Sequence, residues 1–282
     1  MPGIVTVESR LSMMLRSEGS SHMSTDSSES LDSSPDDLVY FELLDQRYVA
    51  LIKQYSNQYS ELYKDIEAKT FRREYAKGGE QIHRGYYSPT MLDLVDPNYK
   101  RGQLLKRPNK NSRYNYEYLF DTQDNLICVH AFINDGQIRL LTDTELLIYE
   151  TDSVIGLFYN TPQSFFRPLL YSVSECRYAD NQLIEYVKAD LFLGQETIQC
   201  ITVDVEEPEY IDNQLQELRY YRYYPALNSL ETHRYVFQRD AEDNLSTFTH
   251  EKSGGPYPAG FQPDESDVTR VSKVLGVCKG NI

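Results

Sequence analysis

The densest group of chemically capable side chains in this 282-residue sequence is a set of carboxylates, Glu206, Glu207, Glu209 and Asp212, crowded around Pro208. Oxygen-rich loops bind calcium when their ligands recur at fixed positions around a turn glycine. That spacing and that glycine are missing, so the sequence predicts a solvated acidic loop here. Cys128 and His130 lie two residues apart, which puts both on one side of a strand. No further ligand stands near them at metal-site spacing, so a structural role is expected for the pair. The other histidines, His22, His83, His233 and His250, join no motif. There is no P-loop, no Gly-x-Gly-x-x-Gly, no Gly-x-Ser-x-Gly and no His-Glu-x-x-His. Acidic residues are too abundant for any carboxylate pair to stand out as a glycosidase dyad. The expectation is no catalytic residue, no metal and no cofactor, with enzymatic activity left open.

Binding chemistry is better represented than catalysis. The chain holds 24 Tyr against 11 Phe and no Trp. Tyrosine joins a large apolar body to a polar tip, which suits half-buried sheets and interfaces alike. Net charge is −15, unevenly spread: residues 114–252 carry 9 basic and 24 acidic groups, whereas residues 71–113 carry 10 basic and 4 acidic. An acidic field of this size repels nucleic acid and attracts cationic partners. The candidate binding residues are therefore Tyr116, Tyr118, Tyr221 and Tyr223 together with Glu206, Glu207 and Glu209, and the expected partner is a basic protein. The basic pairs Lys100-Arg101 and Lys106-Arg107, with Lys110, are expected to lie across the acidic region within the same chain. Cys128, Cys176, Cys200 and Cys278 show no Cys-x-x-Cys spacing and read as reduced thiols. With no apolar run long enough to span a bilayer, a cytoplasmic protein away from membranes is expected. Oligomeric state is not readable.

The elements that would position these groups divide the chain into four parts. Residues 1–34 are Ser-rich and acidic and predict disorder. Residues 35–78 predict one long amphipathic helix. Ser34 and Pro35 open it, Leu44, Tyr48, Leu51, Tyr55, Tyr59, Leu62 and Ile66 form its apolar stripe, and Gly78-Gly79 stop it. The stripe favours docking on a sheet over a coiled-coil seam. Residues 79–252 form a basic connector followed by an antiparallel meander. Its strands are expected from Tyr114 onwards and then near 169–178, 183–192, 196–205, 215–224, 231–239 and 245–250. Asn134-Asp135-Gly136 marks a tight turn, and Phe165 and Phe166 are expected to plug an open end of the sheet. Residues 253–282 predict a flexible tail. The fold class is α+β, mainly β: a long N-terminal helix packed on a large antiparallel meander of about ten strands, either a curved sheet or a barrel.

The unit Tyr116-Glu-Tyr-Leu-Phe-Asp-Thr-Gln-Asp-Asn-Leu-Ile resembles a degenerate tyrosine–aspartate (YD) repeat of RHS-type proteins and of some small all-β toxin-immunity proteins. Similar units start at Cys176 and Arg234, and a looser one at Tyr220. Asp124 and Asp243 stand where the family unit carries glycine. The resemblance implies strand–turn–strand geometry and, for function, neutralisation of a toxin. The sequence thus supports a non-enzymatic intracellular interaction protein that meets a basic partner through an acidic, Tyr-rich sheet. Its alternative is a β-barrel around a small apolar or chromophore-like ligand, with lyase or isomerase chemistry. Closure of the sheet separates the two.

Overall fold

The structure is a computed structural model that describes residues 35–78, 85–95, 102–108, 113–135, 138–160, 168–191, 198–255 and 269–270. The Ser-rich leader, Gly79, Lys100-Arg101, Lys110, Gly136, Phe165, Phe166, Cys278 and most of the tail lie outside these residues. The N-terminal stripe folds as two helices, α1 (Pro35–Tyr55) and α2 (Tyr59–Lys69), instead of one. At the break, Ser56 Oγ bonds back to the Ile52 carbonyl, and the Gln58 N–H reaches Tyr55 O. A serine hydroxyl that competes for a backbone carbonyl weakens the helix there. The second correction follows directly. Residues 72–77, read as the basic end of a helix, form a strand, β1 (Arg72–Lys77), and the helix stops at Thr70 rather than at the glycines.

The remaining strands are β2 (Gln103–Leu105), β3 (Tyr114–Phe120), β4 (Leu126–Asp135), β5 (Ile138–Tyr149), β6 (Ser153–Asn160), β7 (Leu169–Ala179) and β8 (Gln182–Leu191). They continue as β9 (Cys200–Ile211), β10 (Gln214–Tyr224), β11 (Ser229–Arg239), β12 (Leu245–Gly254) and β13 (Thr269–Arg270). All belong to one antiparallel sheet. From β3 to β13 each strand pairs with its neighbour in sequence, and β1 and β2 add to the β3 edge. Among the described residues no pairing joins β2 to β13, so the sheet they form is open and not closed into a barrel. Of the tail expected from 253, residues 253 and 254 belong to β12, and most of the remainder lies outside the described residues.

Turn chemistry explains the meander. Asp180-Asn181 and Asp212-Asn213 are two-residue connections with positive φ at both positions, the type I′ geometry that matches strand twist. Two five-residue loops, 121–125 and 240–244, are near copies. Asp121 Oδ1 accepts from Gln123 N–H and Asn125 N–H, and Asp240 Oδ1 from Glu242 N–H and Asn244 N–H. Asp124 and Asp243 take φ of +67° and +64°, a left-handed conformation that Asp tolerates better than most residues.

One face of the sheet is sealed by the helices. Phe41, Leu44, Tyr48, Ile52 and Ile66 pack on Leu119, Leu146, Leu157, Val173, Val187, Val203 and Val205. The stripe docks as expected, although its contact line on α1 runs through Phe41 and Ile52 and leaves Leu51 partly buried. A polar cluster lies inside this interface. Arg47 Nη2 is 2.7 Å from Glu175, Tyr48 OH donates to Glu175 Oε2 at 3.2 Å, and Tyr40 OH donates to Glu185 Oε1 at 3.2 Å. Arg177 bridges Glu175 and Glu185 at 3.5 and 3.2 Å.

Candidate functional site

The opposite face carries the polar residues that alternation turns away from the helices. Registry lines them up across strands: Lys188 is opposite Asp204, Asp204 opposite Arg222, and Arg222 opposite Glu231. The next row runs Tyr186, Glu206, Tyr220, His233, Lys252. Arg222 grips Asp204 through two hydrogen bonds of 2.8 and 3.0 Å, a planar fork on a carboxylate. Lys188 pairs with Asp190 at 2.9 Å.

At the β11–β12 end, Glu231 Oε1 is 2.7 Å from both His233 Nε2 and Lys252 Nζ. The hydrogen bond from His233 and the Lys252 ammonium hold the Glu231 carboxyl down at about 2. His233 Nδ1 lies 2.9 Å from His250 Nε2, within hydrogen-bonding distance. Burial, His233 and Lys252 push His250 down to about 4, so it is neutral near pH 7. Rings of His233, His250 and Tyr235 lie nearly parallel, within 9° of one another. This is a carboxylate–imidazole–imidazole relay. Among the described residues, no group of three or more His, Cys, Asp or Glu is placed to hold a metal ion.

The acidic turns are a second candidate. In a meander that keeps sequence order, alternate turns emerge at the same end. The turns β3–β4, β5–β6, β7–β8, β9–β10 and β11–β12 therefore share one rim. They carry Asp121, Asp124, Glu150, Asp152, Asp180, Asp212, Asp240, Glu242 and Asp243, with no Lys or Arg. Pro225–Asn228, the described turn at the other end, has no charged residue. Side chains tie neighbouring turns into a row: Gln182 Nε2 donates to Asn213 Oδ1 at 3.3 Å, and Gln214 Nε2 to Asp243 Oδ2 at 2.7 Å. Successive turns sit two strands apart, about 10 Å.

The residues singled out from the sequence are not brought together. Glu206, Glu207 and Glu209 lie within β9 rather than in a loop, and alternation sends them to different faces. Glu206 is 2% exposed beneath residues 85–95, Glu207 stands on the helix side near Tyr40 and Tyr221, and Glu209 is exposed. Asp212 belongs to the rim. Tyr221 and Tyr223 pack against Phe41, with ring centroids 5.6 and 5.8 Å away. Tyr116 and Tyr118 stack beneath Gly85–Tyr87, and Tyr118 OH accepts the Tyr86 N–H at 2.8 Å. A Cβ on Gly85 would lie 2.5 Å from that hydroxyl, at a positive φ, so only glycine fits there. Cys128 and His130 do share a face, under α2, where burial pushes the Cys128 thiol up and His130 Nδ1 lies 3.4 Å from Glu117. Of the basic connector, Lys100-Arg101 and Lys110 lie outside the described residues, and Lys106 and Arg107 are exposed.

The residues that sequence reading passed over are Glu231, His233, His250 and Lys252. Their signal is the pair of alternating tripeptides Glu-Thr-His and His-Glu-Lys on strands that one Asp-rich turn joins.

No protein-family model matches the chain, and no curated protein does. A solved structure of a protein of unknown function from Bacteroides fragilis NCTC 9343 is similar, at 11% identity and a TM-score of 0.36, over 52% of this chain and 96% of that one. A likeness that distant says nothing about activity.

Among the described residues, no helix is long and apolar enough to cross a membrane.

Proposed function

We propose that this protein is a non-enzymatic interaction module whose acidic rim of hairpin turns receives a basic protein. The observation that carries the reading is the nine acidic and no basic residues in the five turns of one sheet end. The turn backbones are fixed by hydrogen bonds of their own, so little ordering is lost on contact. A row of negative charge at about 10 Å intervals suits lysines or arginines presented along an elongated surface, and it speeds encounter by long-range attraction. Toxin neutralisation is the form of this role that the resemblance to YD repeats suggests.

Asp124→Asn, Asp152→Asn, Asp180→Asn, Asp212→Asn and Asp243→Asn, combined, remove five charges without changing side-chain size. Asn also tolerates the left-handed backbone at four of these sites. Immobilised parent and variant are compared for proteins captured from a lysate at low and moderate salt. A basic protein that the parent retains at low salt, and the variant does not, is the expected result. Identical captured sets would end the proposal. For an identified partner, the variant is expected to lower the on-rate far more than it raises the off-rate.

A further inference from the structure

Residues 88–95 form a strap on the face opposite the helices, and one carboxylate of the sheet holds it. Glu206 Oε2 accepts the Met91 N–H at 2.6 Å, and Glu206 Oε1 is hydrogen-bonded to the Thr90 hydroxyl. Thr90 Oγ1 in turn accepts the Leu92 N–H at 3.2 Å. Met91, Leu92, Leu94 and Val95 then cover an apolar groove made by Leu215, Leu218, Tyr220, Tyr235, Phe237 and Phe248. Two further backbone bonds, Leu94 N–H to Met91 O and Val95 N–H to Leu92 O, are internal to the strap.

The surroundings of Glu206 are unusual for a carboxylate at 2% exposure. Its cross-strand neighbours are Tyr186 on β8 and Tyr220 on β10. Two other carboxylates face it, Asp204 from its own strand and Asp93 from the strap. Arg222, in the adjacent row, is committed to Asp204 through its fork. His233 lies one strand further along, bound to Glu231 and His250. Both contacts are donated to Glu206, by the Thr90 hydroxyl and the Met91 N–H, so by themselves they favour a charged carboxyl, and burial opposes it. An ionised one would sit desolvated between two further anions.

We propose that Glu206 is a proton-controlled latch, holding the 88–95 strap on the sheet while protonated and letting it lift from the apolar groove once its proton is lost. The β9 backbone is locked in the ladder on the Tyr220 side, so water reaches a charged Glu206 most readily by displacement of the strap. Lifting moves Asp93 away from the new charge and uncovers Tyr220, Tyr235, Phe237 and Phe248 beside the His233–His250 pair. Burial outweighs the Thr90 and Met91 bonds, which favour the charge, and with Asp204 and Asp93 adding to it pushes the carboxyl up to about 8, which places the change close to neutral conditions.

The chain has no tryptophan, so Leu92→Trp supplies a single reporter on the strap. Its emission and its quenching by acrylamide are followed from pH 6 to pH 9.5, in the parent and with Glu206→Gln. Gln matches the carboxyl in size, keeps an oxygen to accept the Met91 N–H, and stays uncharged at any pH. The expected result is a red shift and increased quenching in the parent, with a midpoint near pH 8, no change in the Gln variant, and constant far-ultraviolet circular dichroism in both. Equal shifts in both proteins, no shift in either, or loss of dichroism along with the shift would each overturn the latch. If Leu92→Trp does not fold, hydrogen exchange of peptides covering residues 85–95 decides on the unlabelled proteins at pH 9. Faster exchange in the parent than in Glu206→Gln supports the latch, and equal exchange refutes it.

Discussion

On the helix side of the sheet, Glu175 is buried with Arg47, Arg177 and the Tyr48 hydroxyl around it; on the other side, Glu206 is buried with a threonine, a backbone amide and two further carboxylates. Both are 2% exposed, and each ties a covering segment to the sheet. The first is a charge neutralised by cations delivered partly from a helix. The second is a site that favours a neutral acid. The helix layer is therefore held by interactions that persist across the pH range where carboxylates stay ionised, whereas the strap is held by a group whose state can change.

The largest expected effects test the helix side. Glu175→Ala leaves Arg47 and Arg177 without their shared carboxylate and should cost about 3–5 kcal/mol, as breaking a buried pair does. Leu44→Ala opens a cavity under α1 and should cost about 2–5 kcal/mol. Urea denaturation measures both, and values below 1 kcal/mol would mean that the helices lie only loosely on the sheet.

Next in size is a pH effect on the strap side. The folded protein holds the Glu206 proton up to about pH 8, against an ordinary value of 4.5. Its contribution to stability is thus fully present below pH 4.5 and is lost as pH rises to about 8. In Glu206→Gln that part of the decline disappears, so the variant gains on the parent as pH rises between these limits. Parallel stability curves would place Glu206 in a solvated, ionised state.

Smaller again is an acid limb. His250 is held at about 4 against 6.5, so its neutral form stabilises the fold above pH 6.5 and that contribution is lost as pH falls towards 4. Glu231, held at about 2 against 4.5, adds a loss that spreads from pH 4.5 down to pH 2. His250→Asn should remove the upper limb and leave the lower, read from thermal melts at pH 2 to 7. The smallest effects are expected at the rim, where Asp152→Asn, Asp180→Asn and Asp212→Asn should each alter stability by less than about 0.5 kcal/mol.

Much of the meander is legible in the sequence, because Asp180-Asn181, Asp212-Asn213 and the two Asp-x-x-Asp-Asn loops announce their turns through residues that tolerate left-handed backbone. The docking of the Leu44 and Tyr48 stripe is legible for the same local reason. β9 is not, since Glu206-Glu207-Pro208-Glu209 has the composition of a loop. Pro208 is accommodated because the β8 pairing ends at Glu206, so the N–H that proline lacks has no partner to miss on that side. β1 is hidden because Arg72–Lys77 continues the basic end of a helical pattern and becomes a strand only through pairing with β3. The His233–His250 contact depends on register between β11 and β12, and the Glu206 latch depends on a segment more than a hundred residues away. Neither is a local property of sequence.

The strand order has a consequence for how such a chain can change over time. Between β3 and β12 every strand pairs with the one before it and the one after it, so each hairpin is a unit with local contacts. Excising one whole hairpin, for example β7 and β8 with Asp180-Asn181, leaves flanking strands that still run antiparallel to each other. A duplicated hairpin would likewise extend the sheet by two strands and its rim by one acidic turn. Length and charge can thus vary together in steps, without rerouting the chain, until the sheet outgrows the helices that cover it.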